Sequence, residues 1–396
     1  MSGTGLRIGY IPLVDAAALV VAVDMGFAAA ENLDVELVRE VSWSNVRDKL
    51  NIGLFDAAHL LSPMAIASSL GIGHVRVPLI APFNLGLNGN AITVSPRLHA
   101  ALSGLADGDI ADPIVSTRAL ARLVAERKAR SFEPLTFGMT FPFSNHNYQL
   151  RFWMAAGGVD PDEDVRLVVL PPPYMVESLS SGHVDGFCVG APWNSVAVDS
   201  GVGRILHFGC DIMARASEKV LAVRERWATD NAEALRALIR ALAQASAFID
   251  DTSNRAAVAA AVARRLDVAA ELVVRTLNGT MKIAPDGAVR SDDRYIVIGR
   301  NGASRPDPVQ AAWLYAQIVR WGQAPLSDEL LGVAQAVFRP DLYDAALGVS
   351  PPPADREPHD GVGGFIGPAF DPADITGHLA GWRTKPSGRP HLSIVR

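Results

Sequence analysis

Along the first half of the chain, short runs of β-branched and aliphatic residues alternate with stretches whose apolar positions recur every three or four residues. That rhythm predicts βαβ units around mostly parallel sheets. Residues 6–11 read as a strand, Asp15 as the N-cap of an alanine-rich helix over 16–25, and Gly26 as its stop signal. Strands are expected at 35–38, 57–61 and 75–81, with helices at 44–52 and 63–70 between them. The pattern then restarts, with strands at 91–94, 137–140, 166–170 and 186–189 and helices at 117–129, 147–156 and 174–181. Pro192 is placed to open a further helix.

From about residue 204 the texture changes: one more strand, 220–223, precedes long helical patterns at 232–249, 255–277 and 308–321. Residues 345–396 contain three consecutive prolines and many glycines, so this tail is expected to pack extended on the rest. Two α/β lobes account for the order most economically, the second inserted into the first. The expected boundaries are 1–92 and 211–345 for the first lobe, 93–210 for the second, and 346–396 for the tail. A ligand cleft would lie between the C-terminal ends of their strands.

Composition narrows the class. Of 396 residues 49% are apolar and 20% charged, ample for a large core, and the net charge of -6 suits a polyphosphate backbone poorly, so no direct nucleic-acid binding is expected. The longest apolar run near the start, 16–23, falls far short of the roughly 20 residues that span a bilayer, and residues 1–5 carry no basic charge. A soluble, cytoplasmic protein without membrane contact is the expectation. The two cysteines, Cys188 and Cys210, sit in or beside apolar stretches and read as buried free thiols.

No phosphate-binding GxxxxGK[ST] loop, HExxH, GxSxG or EF-hand pattern occurs, and the nine histidines show no metal-ligand spacing. Carboxylates do not gather on the loops that would face the cleft, which weakens a case for acid–base catalysis. The chain reads as a binding protein, not an enzyme, with no cofactor and no metal.

Four loops at strand ends hold unusual residues: Trp43 in a polar turn at a helix start, the Asn- and Gly-rich run 84–90, His146 leading into a helix, and Gly190 where a buried strand breaks ahead of Pro192. Here a resemblance becomes specific. The segments Ser42-Trp43-Ser44 with Arg47-Asp48, Asp56 through Met64, Thr140-Phe141-Pro142 with His146, Pro171-Pro172-Pro173 with Met175, and Asp185 through Asn194 resemble the nitrate- and bicarbonate-binding proteins of the NrtA/CmpA type. The similarity runs from about residue 6 to 227.

That resemblance implies a type II periplasmic-binding-protein fold and a nitrate site at Trp43, Asn90, His146, Gly190 and Lys219. Asn90 stands where the family has a glutamine, Ala191 replaces a family acid, and Asn147 replaces a family aspartate, which disfavours bicarbonate held with a metal counter-ion. These donor types suit a flat monoanion that only accepts hydrogen bonds, with Lys219 supplying the charge. With no export signal expected, the closer resemblance is to NasS-type cytoplasmic nitrate/nitrite sensors, whose partner is a NasT-like ANTAR RNA-binding regulator. The alternative is the solute-binding component of a nitrate or bicarbonate ABC transporter. An enzyme of this fold making a pyrimidine precursor of thiamin would need histidine- and cysteine-rich chemistry that has no counterpart here.

Overall fold

Strand and helix segments alternate as the hydrophobic pattern requires, and the computed structural model, which describes residues 3–350 and 361–382, gathers the strands into two main sheets. In chain order the strands are β1 (Thr4–Tyr10), β2 (Leu33–Arg39), β3 (Ala57–Leu61), β4 (Leu79–Asn88), β5 (Asn90–Val94), β6 (Thr136–Met139), β7 (Arg166–Val169), β8 (Gly186–Gly190), β9 (Arg204–Phe208), β10 (Met213–Ala214), β11 (Ser217–Arg224), β12 (Thr280–Lys282), β13 (Val289–Ser291), β14 (Ile296–Val297) and β15 (Gly363–Gly364). The first sheet has the order β14-β4-β11-β3-β1-β2 and the second β7-β6-β8-β5-β9.

Both sheets are mixed in the same way. Parallel pairs β1/β2, β1/β3, β6/β7 and β6/β8 carry the βαβ units, while β11 and β5 each run antiparallel to the neighbours on both sides. These antiparallel strands are the ones laid down as the chain enters a sheet from the other. Their N-terminal ends therefore lie beside the C-terminal ends of the parallel strands, at one edge of each sheet. Every residue of β3, β4, β5 and β8 is buried. That is why β8 reads as a continuous apolar run and β3 as one broken only by His59, instead of alternating.

The first crossing is a single residue. Gly89, at φ +90°, joins β4 to β5, so residues 90–92, expected with the first lobe, lie in the second sheet. The expected strand at 75–81 and the expected turn at 84–90 give way to one ten-residue strand, β4, whose asparagines are buried. Polar composition suggested a loop, but Asn84 donates to Gln310 and Asn88 to the Arg294 carbonyl, so the amides are satisfied within the packed structure. The helical pattern over 255–277 is two helices, Arg255–Leu266 and Ala270–Leu277, broken where Asp267 takes φ +61°.

The chain returns to the first sheet through residues 209–216. The C-terminal segment adds β15 to this return as the antiparallel partner of β10, and Phe365 N donates to the Ile212 carbonyl at 3.0 Å. From there it packs Phe370 and His378 edge-on against Trp313 of the helix Pro308–Arg320, with ring centroids at 5.2 and 5.5 Å. Phe365 and Trp382 pack against Phe152 of the helix Asn145–Ala156, at 5.8 and 5.0 Å. The part of the expected tail that falls on 351–360 and 383–396 lies outside the described residues. No helix among the described residues is long and apolar enough to cross a membrane.

Candidate functional site

All five residues singled out in the sequence come from those facing sheet edges, and all five are buried. Trp43 is the first residue of the helix Trp43–Asn51, which starts there because the Ser42 side chain accepts from Asn45 N. His146 lies in the first turn of Asn145–Ala156, capped likewise by Ser144 accepting from Asn147 N. Asn90 and Gly190 are directly paired residues of β5 and β8. Lys219 enters on β11.

Two carboxylates join them, which corrects the expectation that acids stay away from the cleft. Asp15, expected to cap a helix, makes no cap; the helix begins at Ala17 and its N-cap is Ala16. Asp15 is instead 2% exposed, with Oδ2 2.9 Å from Lys219 Nζ and Oδ1 2.9 Å from His59 Nε2. Glu218 Oε1 accepts from Lys219 Nζ at 2.7 Å and faces His146 Nε2 at 3.6 Å, while Glu218 Oε2 accepts from Asn90 Nδ2 at 2.7 Å.

Adjacent residues of a strand should point to opposite faces, yet Glu218 and Lys219 reach the same cluster. The reason is a β-bulge: against β4, Ser217 pairs with Leu87 and Lys219 with Gly86, so two steps on β11 oppose one on its partner and Glu218 is the extra residue. Sequence alternation could not reveal this. Asp15 and His59 gave no local signal either, being 44 residues apart and joined only through the sheet.

The remaining polar atoms divide into satisfied and unsatisfied ones. Asn90 Nδ2 also donates to Gln149 Oε1 at 3.1 Å, so its amide hydrogens are both engaged, and Asn90 is not the free donor that its sequence position suggested. Thr140 Oγ1 lies 2.9 Å from His146 Nδ1. If the hydroxyl donates, the ring proton sits on Nε2, which has no aligned acceptor. The Trp43 indole N–H is also buried without an acceptor, while its ring lies 5.3 Å from Lys219 Nζ and 5.4 Å from the His59 ring. A Cβ on Gly190 would meet Asp15 Oδ2 at 3.4 Å and Asn90 Oδ1 at 3.5 Å, so glycine leaves room that any longer side chain would fill.

Burial pushes the Lys219 amine down, but Asp15 and Glu218 outweigh it and hold it above its ordinary value. For Asp15 burial pushes up, and Lys219 with His59 overrides it, keeping the carboxyl well below the usual range. Glu218 goes the other way: burial raises it more than Lys219 lowers it. Burial lowers both His59 and His146 and Lys219 adds to it in each; His59 is lowered less because Asp15 hydrogen-bonds its ring. The resting arrangement is thus an Asp15–Lys219 ion pair, two neutral imidazoles and one carboxyl poised upward.

The two lobes are in direct contact here. Asn90 and His146 from the second sheet side contact Glu218 from the first, Asn145 Nδ2 donates to the Ser217 carbonyl at 2.6 Å, and Val14 N donates to the Ala191 carbonyl at 2.9 Å. Elsewhere, among the described residues, Cys210, Asp211 and Asp292 come within 4.8 Å of one another. Both carboxylates there are gripped by arginines, Arg290 on Asp211 and Arg294 on Asp292, which leaves them poorly suited to a cation. Both cysteines are free and buried; burial raises the Cys210 thiol to about 12 and the Cys188 thiol well above its usual value.

With this geometry in place, comparison with known proteins is informative. Residues 2–263 match the model of the NMT1-like family. The nitrate/nitrite binding protein NrtA of Nostoc sp. is 30% identical, covering 93% of this chain and 83% of its own length. The nitrate import ATP-binding protein NrtC of Synechocystis sp. is 32% identical over 96% of this chain, which spans only 56% of that longer protein. The crystal structure of the periplasmic nitrate-binding protein NrtA from Synechocystis PCC 6803 superposes with a TM-score of 0.85 at 27% identity, covering 96% of this chain and 98% of the other. The architecture is the α/β periplasmic-binding-protein fold.

Proposed function

The chain belongs to the NMT1-like family, among the relatives of the nitrate/nitrite binding protein NrtA, and we propose that it binds nitrate or nitrite in the cleft around Lys219, closing its two lobes over the anion. The observation that carries this reading is a fully buried ammonium flanked by the Trp43 indole N–H, which has no acceptor, and by His146 Nε2, which carries the ring proton when the Thr140 hydroxyl donates to Nδ1 and faces Glu218 Oε1 only at 3.6 Å. Buried donors are ordinarily paired, and each left open costs about 1–3 kcal/mol. A small planar anion with acceptor oxygens and no donor would satisfy both. Gly190 keeps a side chain out of the space next to Asp15 and Asn90.

The anion favours closure because its contacts come from both lobes: Trp43 and Lys219 from the first, His146, Gly190 and the Asn90 neighbourhood from the second. A ligand shifts an open–closed balance only through such differential contacts. Bicarbonate held with a metal is disfavoured for a reason other than the expected shortage of acids. Asp15 and Glu218 are both present, but the Lys219 ammonium occupies the place between them where a cation would sit.

The output of closure is read as a signal. In this reading the protein is a cytoplasmic nitrate/nitrite sensor whose ligand-free form holds a NasT-like RNA-binding regulator and releases it on closure. Two things support it: the resemblance drawn from the sequence motifs, and the occurrence of a homologous module inside a longer relative named as an ATP-binding protein, where closure would be passed to attached protein. The alternative, a solute-binding component of an ABC importer, uses the same cleft and the same closure.

Co-purification of the regulator with this chain, followed by addition of nitrate, separates the two. Release by nitrate and by nitrite, and not by chloride, is the expected result; a complex that never forms or that ignores nitrate contradicts the sensor output while leaving the anion site standing.

A further inference from the structure

Three donors of the proposed anion site are already turned toward one internal group. Lys219 Nζ and His146 Nε2 face Glu218 Oε1, at 2.7 and 3.6 Å, and Asn90 Nδ2 bonds Oε2 at 2.7 Å. The Glu218 carboxylate is itself a flat monoanion with its charge spread over acceptor oxygens, and it is fully buried. It stands where nitrate or nitrite would make its contacts. A β-bulge on β11 is what brings Glu218 to the same side as Lys219.

We propose that Glu218 is a tethered internal competitor for the anion, which yields the donors only when its carboxylate takes up one proton from solvent. This rests on the reading above that the cleft takes a small planar oxyanion. Charge balance explains the proton. Asp15 and Lys219 cancel, and the imidazoles of His59 and His146 are neutral, so an ionised Glu218 makes the closed cluster singly negative. Adding an anion would make it doubly negative in a region without solvent; one proton on Glu218 restores the original charge. The polar groups packed around the cluster include the indole of Trp43, the amides of Asn90, Asn145 and Gln149 and the hydroxyl of Thr140, none of which titrates near neutral pH; burial raises the Cys188 thiol and the Tyr295 hydroxyl far above it.

Burial holds the Glu218 carboxyl above its ordinary value despite Lys219, so it is the group positioned to accept that proton. Protonation also changes its role. A carboxylate only accepts hydrogen bonds, whereas the acid has one O–H to donate. Lys219 and His146 are then released toward the incoming anion, and Glu218 adds a donor of its own. The site so built prefers an anion that brings no proton over one that presents an O–H toward Lys219 and His146.

The test is calorimetric titration of nitrate into the full chain in pairs of buffers that differ in ionisation enthalpy. Between about pH 6 and about pH 9 the expected result is uptake approaching one proton per nitrate, with affinity falling up to roughly tenfold per pH unit once Glu218 is ionised. Glu218→Gln, which keeps the shape and removes the charge, is expected to bind nitrate more tightly than the wild type at the upper end of that range and to lose most of the pH dependence. Binding without proton uptake in the wild type overturns the proposal, as does a folded Glu218→Gln protein that binds more weakly with the pH slope unchanged, since Glu218 would then merely position Lys219. If the variant fails to fold, the proton count of the wild type still decides. Absence of heat with nitrate, nitrite and bicarbonate alike overturns the oxyanion reading itself, and this inference with it.

Discussion

Lys219 has two tasks that a single substitution separates by their symptoms. In the proposed function it supplies the positive charge for an anion; in the structure it neutralises Asp15 in a buried site. Lys219→Ala should therefore abolish nitrate binding and also destabilise the fold by about 3–5 kcal/mol at neutral pH, the usual cost of stranding a buried charge. Thermal melts of this variant should recover as pH falls, because Asp15 without its partner becomes an acid with a raised pKa, whose contribution is present below the ordinary carboxylate range and lost above it. Trp43→Phe is the milder change. It keeps the buried ring and removes an N–H that has no acceptor, so stability should hardly move while nitrate affinity drops about fivefold, the worth of one hydrogen bond near 1 kcal/mol. A large loss of stability in a Trp43→Phe melt would show that the indole N–H is satisfied within the protein.

The wild type carries opposing pH dependences at the same cluster. Asp15 is depressed in the folded protein, so its contribution is present above the ordinary carboxylate range and lost as pH falls through its folded value. Glu218 is raised, so its contribution is complete below that range and erodes as pH rises through its folded value. Without anion, stability should thus decline as Glu218 ionises, and Glu218→Gln should remove that decline. A melting temperature whose fall above the carboxylate range is the same in both proteins would place the charge elsewhere.

At the scale of elements, what the sequence made legible was periodic and what it hid was not. The helices expected from 44 and 147 by their apolar spacing begin one and two residues earlier, at Trp43 and Asn145, behind capping serines that the spacing alone did not mark. β3 and β8 could be read because strands buried on both faces are almost wholly apolar, His59 being the polar residue of β3. The bulge at Glu218 could not, since nothing in Ser217-Glu218-Lys219 distinguishes a re-aimed side chain from an alternating one. Asn84 and Asn88 misled for a related reason: buried amides that are satisfied by distant partners look like turn residues when viewed alone. Asp15 looked like a cap because an acid ahead of an alanine run usually is one.

The C-terminal segment is the element whose role depends most on place. It pairs β15 with the return crossing, packs on Trp313 of one lobe and on Phe152 of the other, and Trp382 covers Arg320, whose guanidinium lies 4.0 Å from the ring centroid. The Asn145–Ala156 helix carries His146 at one end and Phe152 toward its other, so the segment braces the element that positions the proposed ligand residue. Trp313→Ala should cost about 3–5 kcal/mol, as for other large-to-small core changes, measured by urea denaturation. A loss below about 1 kcal/mol would mean that the segment rests on the lobes without packing into them.

For the whole molecule, the two sheets are joined through Gly89 and residues 209–216, the crossings about which the proposed closure would turn. The net charge of -6 means that the anion is not drawn by the overall field and depends on the local site. Solution scattering should accordingly show a smaller radius of gyration with nitrate than without, and no change with chloride; equal radii under all conditions would remove closure as the signal. The central claim is that one small oxyanion occupies the cleft at Lys219, and equilibrium dialysis of the full chain against isotopically labelled nitrate counts it directly. The account predicts saturable retention of one nitrate per chain, displaced by nitrite and lost in Lys219→Ala; no retention by the wild type, or equal retention by the variant, would contradict it.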